Sequence, residues 1–95
     1  MRNYELVVII SPEVVEEQIP VTVEKINKFI AERGGSITEV NQWGRRKLAY
    51  PIKHFMEGNY VITQFKMDPR LTAELEASLG ISEEILRHLL VRLEE

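Results

Sequence analysis

Residues 3–10 (Asn-Tyr-Glu-Leu-Val-Val-Ile-Ile) are rich in β-branched and aromatic types and stop at Ser11-Pro12, which predicts a strand. Tyr4, Leu6, Val8 and Ile10 share one face, and Glu5, Val7 and Ile9 share the other. Apolar residues on both faces near its end predict a central strand. The period then changes. Ile19, Val23, Ile26 and Ile30 recur at the spacing of a core-facing helix, with Phe29 beside them, while Glu24, Lys25, Lys28 and Glu32 fall off the stripe. Pro20 is tolerated only in a first turn, so the regular helix is expected to begin near Glu16. Gly34-Gly35 ends it, with Gly34 as the left-handed residue.

Residues 36–50 return to an extended pattern. Ile37 and Val40 are out of phase with a period of two, which predicts a bulge between them, and Gly44 marks a second irregularity. Tyr50-Pro51 is expected to stop this strand, and 51–58 to form a loop. Residues 59–67 form a third strand, with Val61, Thr63, Phe65 and Met67 on one face and Tyr60, Ile62 and Gln64 on the other. Asp68-Pro69 is a helix start, Asp as N-cap and Pro in the first turn. Leu71, Leu75 and Leu79 give a short helical stripe, with Gly80 expected as the C′ stop. Ile85–Leu93 is a fourth strand carrying Arg87, His88 and Arg92. Its two faces, Ile85, Leu89 and Val91 against Leu86 and Leu90, are equally buriable.

The order β-α-β-β-α-β predicts an α+β fold of the ferredoxin-like, split-βαβ kind. Four antiparallel strands carry two helices on one face, and the other face is left open. The 95 residues fit one domain, 1–95. No apolar run approaches the roughly 20 residues that span a bilayer, and the start Met-Arg-Asn-Tyr-Glu lacks a signal-peptide pattern. A soluble, non-secreted protein with no membrane association is expected.

Charge alters the picture. The net formal charge is −3, from twelve Lys and Arg against fifteen Asp and Glu, which argues against a general nucleic-acid binder. Yet residues 41–56 hold Arg45, Arg46, Lys47, Lys53 and His54 with no acid. Guanidiniums in this stretch suit phosphate, and Trp43 and Tyr50 at either end suit stacking on unpaired bases. A charged edge strand guarded against edge-to-edge pairing fits the same pattern. Catalytic signals are lacking. No glycine-rich phosphate loop or His-Glu-x-x-His motif occurs, there is no Cys, and Asp68, the sole Asp, is accounted for as a cap. His54 and His88 have no companions at metal-ligand spacing, so neither metal nor cofactor is expected. A small acylphosphatase-like hydrolase would need an anion-cradling loop after the first strand, where Ser11-Pro12-Glu13 stands instead. A non-catalytic ligand-binding or dimerisation module of the same fold is the alternative to an RNA binder.

Met1-Arg2-x-Tyr4-Glu5, then Gly44-x-Arg46-Lys47-Leu48-Ala49-Tyr50-Pro51-Ile52, then Gly58-x-Tyr60 resembles the bacterial small-subunit (30S) ribosomal protein S-six family. The likeness runs along the whole chain, and the Leu-Ala-Tyr-Pro-Ile segment behind a basic pair is its most specific part. The sequence runs to Glu94-Glu95, without the longer tail of some relatives. The resemblance implies a structural, cytoplasmic ribosomal protein and not an enzyme, with no small-molecule substrate. It implies binding to the central domain of 16S rRNA, cooperatively with ribosomal protein S-eighteen as heterodimer partner. Carried over by position, Arg2, Arg46, Lys47 and Arg87, with Arg45 adjacent, are the RNA-binding candidates. Trp43, Tyr50, Tyr60 and Ile62 are candidates for RNA stacking or partner contact.

Overall fold

A computed structural model describes residues 1–93, and the acidic pair Glu94-Glu95 lies outside the described residues. The elements are β1 (Arg2–Ile10), α1 (Ile19–Glu32), β2 (Ser36–Ile52), β3 (Phe55–Met67), α2 (Thr72–Gly80) and β4 (Ile85–Arg92). They form one four-stranded sheet in the order β2-β3-β1-β4, with β1 antiparallel to both β3 and β4 and β2 antiparallel to β3. The ferredoxin-like arrangement and the central place of β1 are therefore as the apolar pattern predicts.

Alternation along β1 and β3 sets the main core. Tyr4, Leu6, Val8 and Ile10 lie beside Phe65, Thr63, Val61 and Asn59 in register, and this face meets Val23, Ile26 and Ile30 of α1 and Leu75 and Leu79 of α2. Tyr4 and Phe65 stack at 5.6 Å between ring centroids. Each helix is entered through a short 3-10 turn, Glu16–Gln18 before α1 and Pro69–Leu71 before α2. Helical backbone thus starts near Glu16, but the α ladder waits until Ile19 and places Pro20 in its first turn, where a missing N–H costs nothing. Asp68 caps the second turn by accepting from the Arg70 backbone N–H at 2.9 Å. Gly34 ends α1 with φ +80°, and Gly35 donates to Ile30 O at 2.9 Å, the paired bonds of a Schellman stop.

Three expectations need correction. Residues 51–58 are not a loop: β2 runs on to Ile52, β3 begins at Phe55, and Lys53-His54 alone make the turn. Pro51 is tolerated because β2 is an edge strand and its ladder is irregular between Lys47 and Ile52. Gly80 is the last residue of α2, without a left-handed φ, and Ile81 follows as the cap. In β4, the register slips between Ile9–Arg87 and Ile10–Ile85, leaving Leu86 as an extra residue. That bulge puts Ile85 into the helix-side core and Leu86 onto the open face, so the two faces of β4 are not simple alternates. The predicted irregularities at 37–40 and at Gly44 are present as register shifts.

Candidate nucleic-acid interface

The β2–β3 hairpin outruns the rest of the sheet. β1 ends opposite Asn59, whereas β2 and β3 stay paired to Ile52–Phe55. The overhanging arm bends across the open face. Leu48 packs with Ile9 and Leu86 in a second, small buried cluster, flanked by Ile52, Phe55 and Tyr60. Gly58 makes this approach possible, since a Cβ there would sit 2.4 Å from Ile9 Cγ2. Tyr50, on the edge strand, reaches over β3 and β1 so that its hydroxyl accepts a hydrogen bond from the Arg87 guanidinium on β4.

The bulge at Gln42–Gly44 does the rest of the positioning. Gly44 takes φ +80°, and Trp43 is left without a partner in the ladder. Its ring stacks on Tyr60 at 6.5 Å and 18°, and the Arg46 guanidinium stands 5.8 Å from the Trp43 ring. Trp43 and Tyr50 are both more than half exposed. The result is a surface of two aromatic planes flanked by Arg46 at one side and an Arg87–Tyr50 pair at the other. Planar bases stack on such rings, and the guanidiniums supply donors for phosphate.

The predicted residues do not all share this surface. Arg46, Trp43, Tyr50, Tyr60 and Arg87 do. Ile62 is on the same face but buried, so it supports the surface from beneath. Arg45 and Lys47 alternate to the opposite side of the hairpin. Arg45 stands opposite Asn59, donates to Pro12 O at 3.3 Å and lies 3.9 Å from Glu57, which is itself opposite Lys47. Arg2 pairs with Met67 at the far end of β1. Arg2 and Arg87 sit on neighbouring strands, but Ile9, the partner of Arg87, lies seven residue steps along β1 from Arg2, roughly 23 Å at ~3.3 Å per residue. They form no common cluster.

Sequence reasoning passed over Leu48, Leu86 and Gly58, which hold the arm down, because their contacts depend on two bulges. Leu89 and Val91, read with Ile85 as one buriable face, instead stand 51% and 38% exposed on the open face beside Arg87 and extend the polar surface with an apolar one. Among the described residues no group of three or more His, Asp or Glu side chains is placed to hold a metal, and no helix is long and apolar enough to cross a membrane.

Cations, aromatic planes and apolar side chains thus lie together on the uncovered face of a split-βαβ sheet. A sequence model of the family described as ribosomal protein S6 matches residues 3–92. The small ribosomal subunit protein bS6 of Moorella thermoacetica is 43% identical over the full chain and 97% of its own length. That of Desulforamulus reducens is 44% identical over 97% of both chains. The crystal structure of the 30S ribosomal protein S6 from Thermotoga maritima superposes with a TM-score of 0.92 at 41% identity, covering 97% of this chain and 87% of that one. The chain belongs to the ribosomal protein S6 family, which is a family of small-subunit ribosomal proteins and not of enzymes.

Proposed function

We infer that this protein is a structural constituent of the small ribosomal subunit in the cytoplasm, and that it binds the central domain of 16S rRNA together with ribosomal protein S-eighteen. One observation carries the reading: Trp43, Tyr60, Arg46, Tyr50 and Arg87 gather on the uncovered sheet face of a chain whose net charge is −3. So small a basic footprint makes few phosphate contacts, and binding by counterion release is correspondingly weak. A basic partner seated against Leu89 and Val91 supplies further cations, and two linked footprints bind far better than either alone. The acidic surface elsewhere favours such a partner. Fluorescence anisotropy on a central-domain rRNA fragment, across a salt series, tests this with the chain alone, the partner alone and both. Tight binding by the mixture and weak binding by this chain alone is the expected result. Strong binding by the isolated chain at physiological salt, or none by the mixture, overturns it.

A further inference from the structure

On the opposite side of the hairpin from the aromatic surface lies a cleft of about 500 Å³. The first turn of α1 and the segment before it form one wall, with Val14, Ile19 and Pro20 as apolar groups and Glu16 at the rim. The base of the β2–β3 hairpin forms the other, with Gln42, Arg45 and Asn59. Gly44, with φ +80°, also lines it. Asn59 is only 6% exposed, and its side-chain Nδ2 has no hydrogen-bond partner. A buried donor left unpaired is costly, and such groups in native structures ordinarily have a partner. Nothing in the open-face interface uses this atom.

We propose that this cleft takes one unstacked purine nucleotide of a bound RNA. The inference rests on the RNA-binding reading above and extends it to a second surface. Four features select the ligand. The volume exceeds what one base needs, and the apolar wall of Val14, Ile19 and Pro20 suits the face of a large flat ring. Asn59 and Gln42 each carry a donor and an acceptor in the fixed spacing of a side-chain amide, which matches the adjacent acceptor and donor of a base edge. Glu16 accepts from a ring N–H or an exocyclic amine. Arg45, half exposed and only partly engaged by Pro12 O and Glu57, is the group for the nucleotide's phosphate. Sequence-specific RNA recognition is built from such splayed bases, read on their edges by side chains.

The test uses the full chain, 15N-labelled, titrated separately with AMP, GMP, CMP and ribose 5-phosphate. The side-chain amides of Asn59 and Gln42 and the backbone amide of Gly44 are followed. The purine nucleotides are expected to move all three signals saturably and to bind more tightly than CMP or ribose 5-phosphate. Arg45→Gln is expected to weaken purine binding by about tenfold, the loss of one charge-assisted contact. Gln42→Ala, at an exposed position, weakens it without the folding penalty that Asn59→Ala risks. Equal responses to ribose 5-phosphate and to the purines, shifts confined to Trp43 and Arg87 on the open face, or no shifts at all would each overturn the proposal. The rRNA-fragment assay separates the two readings. If the mixture binds the fragment while the purines fail, only the cleft assignment falls, and if both fail the RNA reading falls with it.

Discussion

The body of the sheet and the hairpin arm that overhangs it are held by different amounts of the same interaction. Thirteen buried residues from β1, β3, β4 and both helices form the main core, whereas the arm is seated on a small cluster with three buried residues, Ile9, Leu48 and Leu86. Alternation along β1 and β3 places the body's apolar side chains against both helices. The arm instead has an irregular ladder between Lys47 and Ile52 and a two-residue turn, with a bulge at its base at Gln42–Gly44, and it gathers Arg45, Arg46, Lys47 and Lys53 into a stretch with no intervening acid. Burial is thus concentrated in one part of the sheet and sparse in the other. The arm is close enough to the body to be ordered by it, yet its few buried contacts let it open more readily.

The sharpest way to break this contrast is at Phe65, 1% exposed and stacked on Tyr4. Phe65→Ala is expected to lower global stability by about 3–5 kcal/mol, read as a shift in the urea midpoint for every probe together. Leu48→Ala is the counterpart in the arm. It is expected to cost about 2 kcal/mol, the low end for a truncated Leu because the cluster is shallow. Hydrogen exchange should quicken across 45–58 while β1 amides paired to β4 stay protected. Uniform loss of protection across the sheet would show that arm and body are one cooperative unit.

Arg46→Ala and Arg87→Ala should leave folding within roughly 0.5 kcal/mol. Each should reduce the salt slope of complex formation on rRNA by about one unit if it neutralises one phosphate. An unchanged slope places that residue outside the footprint. The smallest effect belongs to the body. The Arg70 side chain, and then its backbone N–H, hold the Asp68 carboxyl down at about 2. Because the folded-state value is depressed, the contribution of this cap is full above the unfolded carboxyl's range near 4. It is lost as pH falls through about 2. A carboxyl NMR titration of Asp68 with a midpoint near 4 would remove the cap from the account.

The same division governs what could be read from the sequence. Body elements were legible because Tyr4 to Ile10, Ile19 to Ile30 and Val61 to Met67 each keep one period, and Asp68-Pro69 and Gly34-Gly35 are unambiguous ends. The arm was not. Pro51 breaks a central strand but not an edge strand, and only the strand order says which one β2 is. The turn places two successive residues, Lys53 and His54, at φ 49° and 73°, the pattern of a type I′ turn normally signalled by Asn-Gly. Neither residue type advertises it. Basic and aromatic candidates were recognisable by type, but which face each takes depended on the bulges as well as on alternation. Arg45 and Arg46 take opposite sides by simple alternation where the ladder is regular, whereas the bulge at Gln42–Gly44 is what sets Trp43 against Tyr60.

Strand order also has a consequence in time. A chain is synthesised from its N-terminus, and β1, the most apolar segment, emerges first. Its two neighbours come late, Asn59 near the start of β3's paired stretch and Arg92 at the end of β4. Leu6 to Ile10 therefore has no native edge to pair with until most of the polypeptide exists, and cannot be flanked on both sides until nearly all of it does. Such distant pairing closes large loops before it gains contacts, which makes folding slower than in a protein of local helical contacts. During synthesis α1 is the sole early native neighbour, and its Val23, Ile26 and Ile30 stripe is the surface available to shelter β1 while the chain is incomplete.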